Sequence, residues 1–198
     1  MTRELWALRS GELPSHIWGQ VQEAVEVAQR TGSLVAKAQA LNCRSLYRQW
    51  DHRFLESLSD AQESYRLAEQ SGQVSEMGLA AVRQVNDLWE LGRMVEVAEL
   101  GQELAKVLFA VGSPRDGSGL AGIAAEVLLD LGRWAECREI LGEALATRCE
   151  GVHGADVREQ AARLAARSGQ WGSHNSTWTV PSNSSALTST GWRGARSR

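Results

Sequence analysis

The sequence predicts an all-α fold: a right-handed superhelix, or α-solenoid, of antiparallel helix pairs repeating about every 40 residues. Three observations lead there. The first is self-similarity. Leu88–Lys106 and Leu128–Ala146 lie 40 positions apart and share seven of nineteen residues: Leu88/Leu128, Leu91/Leu131, Gly92/Gly132, Arg93/Arg133, Glu96/Glu136, Glu99/Glu139 and Glu103/Glu143. A fixed period of this size marks a stacked repeat array. The second is punctuation. Gly32, Gly72 and Gly112 are also 40 apart, and each closes an apolar run as a helix-capping glycine does. The third is that residues 1–170 hold no alternating strand pattern of useful length, only single apolar stripes at helical spacing.

Taken in order, the chain opens with Leu5-Trp6-Ala7-Leu8, which resembles Leu88-Trp89-Glu90-Leu91, the last turn of a first helix. Only about ten residues precede Gly11, so the text begins inside a repeat, and a fragment or shortened relative of a longer protein is expected. Pro14 suits entry into a helix over 16–31, where Ile17, Val21, Ala24, Val25 and Ala28 share a face. Helices over 34–49 and 53–70 form the next pair, 75–91 and 93–110 the third, 118–131 and 133–148 the fourth. A last helix is expected at about 154–168, ending near Gly169. Arg53, Arg93 and Arg133 repeat with the period, each followed by a large apolar residue (Phe54, Met94, Trp134) expected to plug the space between paired helices. Connections this short leave each apolar stripe no cover except its neighbours, which is what a solenoid supplies.

Composition changes after Trp171. Residues 172–198 are rich in Ser, Thr, Asn and Gly and lack helical periodicity, so a helical domain over 1–171 and a disordered tail over 172–198 are expected. The change falls in the middle of a helix pair, as a shift of reading frame would produce. The tail holds Asn175-Ser-Thr and Asn183-Ser-Ser, which match the glycosylation acceptor by chance in a chain with no secretory signal.

With 198 residues, 43% hydrophobic and 23% charged, the composition is that of an ordinary globular chain with a net charge of −3. No apolar run reaches the ~18 residues of a membrane span, and the N-terminus has no signal-peptide core. The cysteines, Cys43, Cys137 and Cys149, are odd in number and widely spaced, which suggests neither a disulfide framework nor a zinc site. A reducing, cytoplasmic location is expected, with Cys43 and Cys137 as buried small hydrophobes.

The chemical motifs are few. Gly117-Ser-Gly-Leu-Ala-Gly122 matches G-x-G-x-x-G, yet no strand precedes it, so a flexible turn with close helix packing is expected rather than a dinucleotide site. His16, His52, His153 and His174 have no metal-ligand spacing, and His52 is expected to be solvated in its turn. Glu56, Glu96 and Glu136 fall in first turns of second helices, where carboxylates complement the helix dipole. Glu63, Glu103 and Glu143 fall two turns later, facing solvent. Eight tryptophans could stack on bases, but the body is acidic, so nucleic-acid binding is not expected. No catalytic residue, metal ligand or cofactor is assigned.

Residues 131–145, Leu-Gly-Arg-Trp-Ala-Glu-Cys-Arg-Glu-Ile-Leu-Gly-Glu-Ala-Leu, resemble a tetratricopeptide motif, in which a small residue and an aromatic pack two helices together. The 40-residue period exceeds the 34 of ordinary tetratricopeptide repeats and is similar to the longer repeats of large bacterial LuxR-family ATPase regulators typified by the maltose-regulon activator. Gly151-Val-His153 before an Ala/Arg-rich helix resembles their late repeats, and the resemblance covers about residues 5–171. It implies a non-enzymatic sensor or interaction module that binds a protein or peptide partner or a small inducer. The ATPase and helix-turn-helix motifs of that family are absent from this sequence. Partners of such arrays dock on the surface lined by first helices, where Arg44, Arg83, Asn86 and Glu126 are the candidate contacts. The rival readings are a standalone adaptor, a HEAT-like scaffold of similar period, a remnant without independent function, and an enzyme. The Gly-Arg-(aromatic or Met) turn favours the tetratricopeptide type over HEAT.

Overall fold

A computed structural model describes residues 15–169, and these form eight helices and no strand. They are α1 (Ser15–Thr31), α2 (Leu34–Trp50), α3 (Phe54–Gln70), α4 (Val74–Glu90), α5 (Met94–Ala110), α6 (Pro114–Asp130), α7 (Trp134–Ala146) and α8 (Gly151–Arg167). The expected half-repeat at Leu5–Leu8, the expected tail and the boundary at 171 lie outside the described residues. The chain divides after Leu164 into two compact units. Of the second, residues 165–169 are described: 165–167 finish α8, 168–169 form the turn after it, and Ser168 Oγ donates to the Ala165 carbonyl at 3.2 Å. All that follows concerns the first unit.

The joints explain the regularity. From α3 to α7 each helix begins 20 residues after the last, so the backbone step is half the 40-residue period of the text. Leu91 caps α4, Gly92 turns left-handed at φ +73°, and the Arg93 N–H returns to the Leu88 carbonyl at 2.9 Å. Arg93 is at once the closing residue of α4 and the residue that caps α5. Its guanidinium then pairs with Glu96 in the first turn of α5. Arg53 with Glu56 (3.0 Å) and Arg133 with Glu136 (2.8 Å) do the same. The repeated carboxylates therefore complement the helix dipole as expected and also clamp the preceding turn. Hydrogen bonds from the arginines hold Glu56 and Glu136 below the usual carboxylate range.

Two expectations about boundaries fail for identifiable reasons. Helix α6 starts at Pro114, not at 118. Proline at the first helical position costs nothing there, because its missing N–H would have no intrahelical partner. The three glycines of G-x-G-x-x-G thus sit inside a buried helix, and no flexible turn exists. A methyl at Gly117 would lie 2.6 Å from the Phe109 ring, and one at Gly119 would lie 3.0 Å from His153 Nδ1. These glycines let α6 approach α5 and α8 closely. Helix α7 stops at Ala146 after 13 residues, where Thr147 Oγ1 accepts the Cys149 N–H at 3.3 Å, and α8 then begins at Gly151.

The core runs continuously along the unit. From α1 to α7 each helix packs on the next, and α2 also meets α4, as α4 meets α6. Fully buried alanines (Ala38, Ala61, Ala81, Ala98, Ala105, Ala121) bring the helices close, and Leu67, Leu108, Leu120, Leu128 and Ile140 fill the remaining space. Of the expected plugs, Met94 packs against the core, Phe54 is half-buried, and Trp134 is 40% exposed. Cys137 is buried as expected, whereas Cys43 is exposed, because it falls on the outer flank of α2.

Candidate interaction groove

A groove of about 540 Å³ opens beside the C-terminal ends of α2 and α4. Gln49 and Trp50 from α2, His52 from the following turn, Phe54 at the start of α3, Asn86, Trp89 and Glu90 from α4, and Ile123 and Glu126 from α6 line it. The equal spacing of the helices builds the groove. Gln49 and Trp89, Trp50 and Glu90, and Asn86 and Glu126 are each 40 residues apart, so the alternate helices α2, α4 and α6 present equivalent positions to one space. Trp50 is 37% exposed and stands edge-on to Tyr47 at 5.2 Å between ring centres; His52 stands edge-on to Phe54 at 5.7 Å.

His52, at φ +56°, occupies the position that Gly32, Gly72, Gly92, Gly112 and Gly132 hold in five other turns. It is exposed, as expected. A β-carbon in the left-handed region costs about 1–2 kcal/mol. The chain accepts that cost at the turn that borders the groove.

A buried polar layer supports the floor. Gln49 Nε2 donates to Asp87 Oδ1 at 2.9 Å and to the Arg83 carbonyl at 3.2 Å. Asp87 is wholly buried and its Oδ2 has no hydrogen-bond partner. Burial pushes its pKa up to about 6, held back by hydrogen bonds from Ser57 and Gln49 and by the Arg83 charge. The amide of Gln49 is thereby fixed in orientation.

The four candidate contacts separate into two groups. Asn86 and Glu126 face the groove together, and Glu126 also pairs with Arg163 of α8 at 3.5 Å. Arg44 instead grips Asp60 through two hydrogen bonds of 2.7 Å, and Arg48 joins them at 2.6 Å. Arg83 donates to Asn42 Oδ1 at 2.5 Å, and Asn42 donates to Glu76 at 2.9 Å. Burial lowers the Arg83 pKa, opposed by the charges of Cys43, Asp87 and Glu76. These two arginines tie α2 to α3 and α4 rather than lining the groove. Seven lining residues escaped the sequence reading, and the signal for them was present. Asn86 and Glu126 carried one step of the period, and the same step applied to Gln49/Trp89 and Trp50/Glu90 marks most of the rest.

Among the described residues no group of three or more His, Cys, Asp or Glu side chains is placed to hold a metal ion, and no helix is long and apolar enough to cross a membrane. No family model, curated protein or solved structure matches the chain.

Proposed function

We propose that the chain is a non-enzymatic helical-repeat interaction module that receives a protein segment in the groove between α2, α4 and α6. The observation that carries this reading is the groove itself. It combines half-exposed aromatic rings with polar groups on helices of one kind, which is how stacked helical arrays present a partner surface. The finer architecture, a right-handed tetratricopeptide-like superhelix, belongs to the same proposal. The even 20-residue step and the α2–α4 and α4–α6 contacts support it. The likeness of the 40-residue period and of Gly151-Val-His153 to the repeats of LuxR-family regulators supports a place in a bacterial transcription regulator.

A photo-cross-linking residue at Asn86 tests the reading, with one at Gln62 on the exposed side of α3 as control. Expressed in the source cell, the Asn86 variant captures a defined protein, and Trp50→Ala abolishes capture. Equal capture from both positions would refute a groove-specific partner. A captured protein carrying an ATPase or helix-turn-helix domain favours the regulator, and one carrying neither favours a standalone adaptor.

A further inference from the structure

We infer that the groove seats a guanidinium, so that the docked protein segment presents an arginine side chain. This rests on the interaction reading above and names the chemistry of its occupant.

Four features of the groove converge on a cation. Its nine lining residues include two carboxylates, Glu90 and Glu126, and no lysine or arginine. Its aromatic lining, Trp50, Phe54 and Trp89, offers ring faces, whose negative quadrupole attracts cations. Two helices end there: Trp50 is the last residue of α2 and Glu90 the last of α4. Helix C-termini carry partial negative charge. Finally, the Gln49 amide nitrogen is committed to two acceptors, the Asp87 carboxylate and the Arg83 carbonyl. What Gln49 can offer a ligand is its carbonyl oxygen, an acceptor.

The cation is arginine rather than lysine. A guanidinium is planar, stacks on indole, and spreads five donors in a fork. Acceptors here come from three helices rather than converging on one point, which suits a fork better than a compact ammonium. Arg163 already places one guanidinium against Glu126 from outside the lining set. It competes for that carboxylate, so its removal strengthens binding.

The test uses the full chain and three capped pentapeptides, Gly-Leu-X-Leu-Gly with X arginine, lysine or citrulline, the last being arginine's neutral isostere. Binding is read by NMR from the indole N–H signals of Trp50 and Trp89. The arginine peptide is expected to shift both signals and to bind at least threefold tighter than the lysine peptide, with the citrulline peptide weaker still. Glu90→Gln weakens arginine binding about threefold, Trp50→Ala about threefold, and Arg163→Ala tightens it about twofold. Arg163 is about half exposed and Trp50 about a third, and an unchanged thermal melt is required of both variants. Equal shifts from arginine and citrulline peptides overturn the cation reading and leave the groove as a docking site. No shift from any peptide, with groove-specific cross-linking intact, also overturns it. No shift and no cross-linking removes both readings together.

Discussion

Asp87 is a carboxylate held where water does not reach, and the direction of its titration follows from that. Its folded pKa, about 6, lies above the ordinary 3.8. The folded state therefore holds the proton more tightly than the unfolded chain does. The stability this confers is present in full below about pH 4 and is lost as pH rises through 6. Glu63, drawn down by Arg66, works the other way and loses its contribution as pH falls below the usual carboxylate range. Chemical denaturation between pH 4 and 7 is expected to show this contribution falling with rising pH, and Asp87→Asn to flatten the curve and stabilise the protein at pH 7.5. An unchanged slope in Asp87→Asn would refute the assignment. Asp60 presents the opposite case, a buried carboxylate whose two arginines satisfy it. Removing it leaves Arg44 and Arg48 facing each other with no counter-charge, and Asp60→Ala is expected to cost about 3 kcal/mol in urea unfolding. None of this was legible in the sequence. Arg44 and Arg83 read as surface contacts because nothing in linear text distinguishes an arginine aimed at solvent from one aimed at an aspartate sixteen residues away.

At the scale of the helix and its joints the text was far more readable. Glycine announced five of the turns, with arginine following it at Gly92 and Gly132, and six of the eight helices begin within one residue of where periodicity predicts. The failures occurred where local propensity and array register disagreed. Pro114, Asp116 and three glycines spell a loop, yet α6 forms there because its glycines are needed for contact with α5 and α8. Gly117→Ala, a change that favours an isolated helix, is accordingly expected to destabilise this one by about 1–2 kcal/mol, as the methyl meets the Phe109 ring. The reverse applies in the α2–α3 turn. His52→Gly relieves a left-handed β-carbon and is expected to raise stability by about 0.5 kcal/mol, since part of the relief is offset by a freer unfolded chain. Thermal denaturation of the two variants side by side measures both signs.

Across the first unit as a whole, two rhythms coexist. The backbone advances every 20 residues, while the chemistry of the turns and the groove recurs every 40. The sequence revealed the longer rhythm because identities accumulate at 40; the shorter one is geometric and leaves only glycines behind. Together they give the chain a parity. Helices of even index contribute to the groove from their bodies, and those of odd index do so only through Phe54. Lengthening the chain by a second copy of residues 74–113 preserves parity. Such a variant is expected to melt cooperatively with more helical signal and to keep its peptide binding. A copy of residues 74–93 alone adds one helix, and every helix downstream then changes index. Side chains selected for the groove are carried to the opposite flank, and the core stripe of one neighbour faces the polar side of the next. On the proposed repeat reading, the chain is expected to tolerate duplication in whole steps and to resist it in half steps, which would make the pair, not the helix, the unit by which such a molecule can grow.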